Sequence, residues 1–264
     1  MHAAASARRR PAPRRGRATV TGVLGELLLT AGVLVLLFVS WQMWIGDIII
    51  GAQNNEKGAE LSQQWAAEPV PEPPPVIDTT DDGEAVYEPP VLPHPDDAEI
   101  FANMLIPRFG DDYSVNIAGG TSRARTLDKI GIGLYTQSKM PGEVGNFSLA
   151  GHRTTWGKPF NRIDKLRLGD AIVIETPEGW YTYRFRTLEY VKPTQVDVLS
   201  DVPQMPAQQT GERFITLTAC SPLYSLAERI VAYGVFDGFQ PRAEGPPASL
   251  ASVDVASPSA EGAP

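Results

Sequence analysis

Apolar and polar positions alternate in short runs through the middle of the chain. ANMLIPRF, YSVNIA, NFSLAGH, AIVIET, WYTYRFRTLEYV, RFITLTAC and RIVAYGVF follow one another between about Ile100 and Pro241. The period of two in WYTYRFRT predicts a strand with one dry and one wet face. Glycine and proline punctuate the runs, with Pro177 to Gly179 as a turn, and one short helical turn is expected between Pro159 and Leu166. Many short strands with few helices predict a mainly all-β domain, a closed barrel or a sandwich.

A different pattern precedes this domain. From Leu27 to Ile45 the chain reads LLLTAGVLVLLFVSWQMWI, with no charge until Asp47. A stretch of about twenty apolar residues is long enough to cross roughly 30 Å of hydrocarbon. Trp41 and Trp44 fall near its outer end, where amphipathic rings favour the interface. A cleaved signal peptide has a shorter apolar run, ~7–15 residues, and a small-residue cleavage site. No clean A-x-A follows here, so the pattern predicts one uncleaved transmembrane helix. The preceding MHAAASARRRPAPRRGR holds six arginines and no acid, which places it in the cytoplasm and everything after Ile50 outside the cell membrane.

Composition then divides the chain: 1–22 a basic tail, 23–50 the membrane anchor, 51–97 a proline-rich acidic linker, 98–241 the folded domain and 242–264 a disordered tail. Clustered prolines such as EPVPEPPP favour an extended spacer, a stalk or a lid over the domain. The tail, with AEGPPASLASVDVASPSAEGAP, lacks apolar surface to pack. The formal charge is −8, and without the six leading arginines the remainder is more acidic still. Such a surface excludes a nucleic-acid partner.

Candidate chemistry centres on the one cysteine, Cys220 at the end of FITLTAC. Alternation sends Ile215, Leu217 and Ala219 to the core and Thr216, Thr218 and Cys220 to the polar side. A lone thiol outside the cell has no internal disulfide partner and points to intermolecular pairing or a reactive group. A nucleophilic thiol needs a neighbour that lowers its pKa or takes its proton. His2 lies before the apolar span and His94 in the linker, leaving His152 as the only histidine of the folded domain, with Gly151 allowing a tight backbone beside it. A cation could stabilise a developing oxyanion. If the strands holding Cys220 and Arg229 are antiparallel neighbours, Arg229 lies within reach; Arg153 and Arg162 are rivals. No carboxylate cluster has calcium-loop spacing, so neither metal nor other cofactor is expected.

AGHRTTWGKPF, ITLTAC and an arginine nine positions after the cysteine resemble the sortases, most closely those of class E from Gram-positive actinobacteria. The resemblance covers NMLIPRFG through RIVAYGVF and includes MPGEVGNFSLAGHRT and RIDKLRLGDAIVIET. It implies an eight-stranded sortase-type β-barrel with short helices and a membrane-anchored cysteine transpeptidase. Such an enzyme cleaves an LPxTG- or LAxTG-like C-terminal sorting signal between Thr and Gly through a thioester. The secreted protein or pilin then passes to an amine of a cell-wall precursor such as lipid II, or to a pilin lysine. The catalytic positions carried over are His152, Cys220 and Arg229. Tyr135, Thr136, Thr218 and Ala219 would line the substrate groove, as would the long segment VKPTQVDVLSDVPQMPAQQTGE. The family usually has threonine where this chain has Ala219, so a hydrogen bond of that hydroxyl is lost here.

Other readings fit less well. L,D-transpeptidases keep histidine close to cysteine, and papain-like proteases place cysteine before histidine. A catalytically silent, membrane-tethered barrel that binds a wall polymer or a protein partner is the alternative from another class.

Overall fold

The computed structural model describes residues 19–41, 45–80 and 83–251. The arginine-rich segment to residue 18, Trp44 and the last residues from 252 lie outside the described residues. The chain divides into two units, Met1–Trp44 and Ile45–Pro264.

The first unit contains helix α1, Val20–Ser40, capped by the Thr19 hydroxyl accepting from the Gly22 N–H at 3.3 Å. This capping satisfies one of the amides that a helix start leaves free. None of its residues is buried, and it is the one helix among the described residues long and apolar enough to cross a membrane.

The second unit is built on a closed barrel. Its strands are β3 (Ile100–Leu105), β4 (Ser114–Gly119), β5 (Ile132–Leu134), β6 (Gly145–Gly151), β7 (Ala171–Thr176), β8 (Gly179–Val191), β9 (Arg213–Ser221) and β10 (Glu228–Pro241). They close in the order β10-β8-β7-β3-β4-β5-β6-β9. β4–β5 and β6–β9 are parallel pairs, and the remaining neighbours are antiparallel. Closure removes the free edges that would otherwise invite pairing with another chain. Met104, Ile117, Phe147, Leu149, Ile172, Ile174, Tyr181, Tyr183, Ile215, Leu217 and Ile230 fill the interior. The expected helical turn before the LGD segment is a 3-10 turn at Ile163–Lys165.

Two segments expected to be loose are packed. Helix α2, Gly46–Ala67, runs well into the expected linker over 51–97. Its buried stripe is Asn54, Gly58, Ser62, Trp65 and Ala66, a helical spacing carried mostly by small and polar residues. A hydrophobic-periodicity reading passes over such a stripe because its contacts are close approach and hydrogen bonds. At Gly58 an added Cβ would lie 2.3 Å from the Ser114 carbonyl oxygen, so only glycine lets the helix sit this close to β4. After Pro69 the linker continues as a small hairpin, β1 (Val76–Thr79) and β2 (Ala85–Tyr87). Tyr87 and Leu92 then pack against the barrel core, and the Pro90 carbonyl accepts from the Tyr181 hydroxyl at 2.7 Å.

The expected disordered tail over 242–264 likewise begins as packed chain. Arg242 is 1% exposed and Leu250 2%. Leu250 joins Leu105, Ala171, Val173 and Trp180 in a second apolar cluster outside the barrel. This covering also explains why the expected wet face of β8 is dry at its start, where Trp180 is fully buried. Glu175, Arg242 and Ser62 meet at its edge: Arg242 Nη2 donates to Glu175 Oε1 at 3.0 Å and Ser62 Oγ to the same oxygen at 2.9 Å. Residues from three distant parts of the sequence thus share one buried polar network.

Candidate active site

β9 lies between β6 and β10, and its register to each decides which side chains meet. In the parallel pair, Ala150 of β6 stands beside Thr218 of β9. β6 ends at Gly151, so His152 is the first residue beyond it, while β9 continues through Cys220 to Ser221. In the antiparallel pair, Cys220 stands directly opposite Arg229 and Ala219 opposite Ile230. Ile215, Leu217, Ala219 and Ile230 point into the core, so Cys220 and Arg229 share the outer face. Phe147 and Leu149 point inward from β6, which puts Asn146, Ser148 and Ala150 on that face too. The structure therefore sets Cys220 and Arg229 opposite each other on adjacent strands, with His152 just past the end of β6, the other neighbour of β9.

Local contacts fix this arrangement. Gly151 ends β6 where an added Cβ would meet the Phe160 ring at 2.7 Å, so close packing of that ring demands glycine before His152. Cys220 is free and half-buried. The Arg229 guanidinium donates through Nη1 to the carbonyls of Glu228, the first residue of β10, at 2.8 Å and of Leu226, in the turn before it, at 3.2 Å. The other two candidate arginines also have partners. Arg162 donates to the Phe109 carbonyl. Arg153 is buried, 3.4 Å from Ser221 Oγ and 3.7 Å from Asp164. It forms one wall of an open cavity of about 560 Å³ that Tyr190, Ser221, Pro222, Leu223 and Glu228 complete.

The outer face leading to Cys220 is polar and walled. Thr218 Oγ1 donates to the Leu149 carbonyl at 3.2 Å and meets the Tyr135 hydroxyl at 2.9 Å, so the tyrosine donates to the threonine. Tyr135 follows β5 and is held by its own N–H on the Ser148 carbonyl at 3.1 Å. Thr136 is exposed one position further on. Ala219 is 3% exposed and faces the core, away from this surface. The long segment ahead of β9 is fastened over the same face. Asn146 Nδ2 donates to the carbonyls of Val198 at 3.1 Å and Ser200 at 3.0 Å, while Thr216 donates to Asn146 Oδ1 at 2.8 Å. Val198 itself is buried beside Val191, Val231 and Tyr233.

One neighbour is absent from the sequence reading. Asp128 Oδ1 lies 2.7 Å from His152 Nε2. It comes from the turn before β5, and β5 pairs antiparallel with β6 through Ile132 and Gly151. The start of β5 therefore sits beside the end of β6. Because β5 spans only Ile132–Leu134, its pattern is too short to be read as a strand, and the proximity of Asp128 to His152 goes with it. Among the described residues no group of three or more His, Cys, Asp or Glu side chains is arranged to hold a metal ion.

Comparison with known proteins agrees with this architecture. Residues 104–237 match the sortase domain family. The chain is 34% identical over 254 residues to Sortase SrtE1 of Streptomyces coelicolor, covering 93% of this chain and 66% of that protein. Among solved structures, SrtA sortase from Actinomyces oris superposes with a TM-score of 0.58 at 35% identity, over 65% of this chain and 94% of that one. Sortase E1 from Streptomyces coelicolor with a tripeptide in the active site gives 0.54 at 36% identity, over 58% of this chain and 97% of that one. The chain belongs to the sortase family, whose members are cysteine transpeptidases, and its relatives include those of class E.

Proposed function

We propose that this chain is a membrane-anchored transpeptidase that cuts an LPxTG- or LAxTG-like sorting signal between Thr and Gly and transfers the protein to an amine. The observation that supports this reading is the register of β9, which sets Cys220 opposite Arg229 and runs parallel to β6, the strand that His152 follows. Cys220 attacks the threonine carbonyl. The carbonyl oxygen gains negative charge, which Arg229 stabilises after turning from the Leu226 and Glu228 carbonyls toward the substrate. The C–N bond breaks, His152 gives its proton to the departing glycine amine, and a thioester remains on Cys220. An incoming amine, from a wall precursor such as lipid II or from a pilin lysine, gives up a proton to His152 and displaces the sulfur. The peptide bond is restored and the free thiol returns.

The groove for the signal passes Thr218, with Tyr135 and Thr136 on one side and the segment over 191–212 on the other. Helix α1 serves as the anchor, with the arginine-rich start of the chain in the cytoplasm and the barrel outside, where secreted protein and lipid-linked acceptor both arrive.

The test is a fluorescent LAxTG-type peptide presented to the detergent-solubilised chain with and without added amines. Cleavage between Thr and Gly that disappears in Cys220→Ala supports the reading. A folded protein that cleaves none of several signals, with any of several amines, would leave the silent barrel in its place.

A further inference from the structure

The imidazole of His152 has two nitrogens, and one is already engaged. Nε2 sits 2.7 Å from Asp128 Oδ1. A carboxylate oxygen accepts, so in the neutral ring the hydrogen resides on Nε2 and Nδ1 is left as the free base. We propose that Asp128 is a positioning residue for the transfer reaction, holding His152 in the tautomer and orientation that leave Nδ1 to exchange protons with Cys220 and the substrate amine. The inference rests on the function proposed above.

Asp128 is well placed for this part because its backbone is fixed. Its N–H donates to the Arg123 carbonyl at 2.8 Å, where it closes the turn Arg123–Leu127. Within that turn Thr126 is fully buried and its hydroxyl donates to the Gly119 carbonyl at 3.2 Å. The other cation near the carboxylate is Arg123, with Nε at 3.7 Å and a side chain 71% exposed. A solvated, long-range pair of that kind competes weakly. The His152 contact is shorter and more sheltered, with the two side chains 13% and 18% exposed.

The proton account is simple. The Cys220 thiol proton passes to Nδ1, leaving a thiolate and an imidazolium whose charge is faced by the Asp128 carboxylate. The same proton then leaves with the glycine amine. Without Asp128 the ring is free to rotate and to populate the other tautomer, in which Nδ1 carries a hydrogen and has no lone pair for the thiol.

The experiment labels the imidazoles of the full chain with nitrogen-15 and records the tautomer of His152, alongside kcat and KM for an LAxTG-type peptide, in wild type, Asp128→Ala and Asp128→Glu. His2 and His94 are the other two histidines, so assignment is direct. Wild type is expected to hold neutral His152 in the Nε2–H form. Asp128→Ala should spread it over both forms and lower kcat roughly 10- to 100-fold, a part of what positioned proton transfer contributes, with KM changed less than about twofold. Asp128→Glu should recover part of both signals, and separates lost positioning from lost folding. An unchanged tautomer in Asp128→Ala, or a loss confined to KM, overturns the proposal. A wild-type chain that cleaves nothing overturns the transpeptidase reading instead, and the tautomer measurement then decides on the Asp128–His152 contact by itself.

Discussion

Arg229 stands directly across an antiparallel strand pair from Cys220, yet its guanidinium is spent on the carbonyls of Leu226 and Glu228. Position and occupation differ, and the difference can be measured. Arg229→Ala is expected to lower kcat for peptide cleavage roughly 10²–10³-fold, the usual size for loss of an oxyanion donor. Arg229→Lys keeps the charge but loses the planar fork, so it should recover only a small part. Steady-state kinetics on both variants checks this. Equal kcat in wild type and Arg229→Ala would remove Arg229 from the mechanism.

The packed C-terminal segment gives a stability prediction. Arg242 lies over the Trp180 ring at 4.7 Å, and its Nη2 donates to Glu175 and to the Thr176 carbonyl. Burial pushes the Glu175 carboxyl up, while the Arg242 charge beside it pulls the other way. Arg242→Ala leaves that carboxyl unpaired and should cost about 3–5 kcal/mol. Adding Glu175→Gln should return a substantial share. A double-mutant cycle by urea unfolding measures the coupling, and simple additivity would mean the two groups do not stabilise one another.

Helix α2 depends on one missing side chain. Gly58→Ala places a methyl against the Ser114 carbonyl, where neither backbone has room to give. The helix is expected to lift from β4, with lower thermal stability and faster amide exchange over Gly46–Ala67, while the barrel strands keep their protection. Hydrogen exchange resolved by segment reads this directly. Uniform loss of protection across the barrel would show instead that α2 and the strands unfold as one unit.

Acid stability carries the signature of Asp170. Arg108 donates to it through Nε and Nη2, both at 2.7 Å, and this paired contact holds its carboxyl below the usual range. The folded-state value is the lower one, so the stabilisation is fully present above the unfolded value of about 3.9 and is lost as pH falls through the folded value. Asp170→Asn should therefore melt lower than wild type at neutral pH and show a flatter fall below about pH 4. Melting temperatures between pH 2 and about 7 test it, and parallel acid limbs would remove Asp170 from the account.

The strand that carries Cys220 was legible because its two faces differ in chemistry. Ile215, Leu217 and Ala219 could go only inward, and Thr216, Thr218 and Cys220 followed by parity. Arg229 was reachable on the same reasoning, since a hairpin fixes its own register. His152 required more, because a parallel partner is distant in sequence; that it was the domain's only histidine named it before any geometry did. Helix α2 was illegible for the opposite reason: Asn54, Gly58 and Ser62 pack through closeness and hydrogen bonds, which no hydrophobic pattern records. Asp128 stayed hidden because nothing in its neighbourhood distinguishes it from a surface acid until β5 is seen to run beside β6.

The segment ahead of β9 has two stretches that are held differently. By gripping the carbonyls of Val198 and Ser200, Asn146 ties the first stretch to the barrel and Gln204 closes back on the Asp197 carbonyl at 2.9 Å, while the exposed residues 205–209 lie beyond those ties. Substitutions in the second stretch can therefore reshape one bank of the channel without disturbing its bed. Under the proposed function, that separates the residues that would select a signal from the thiol that would cut it.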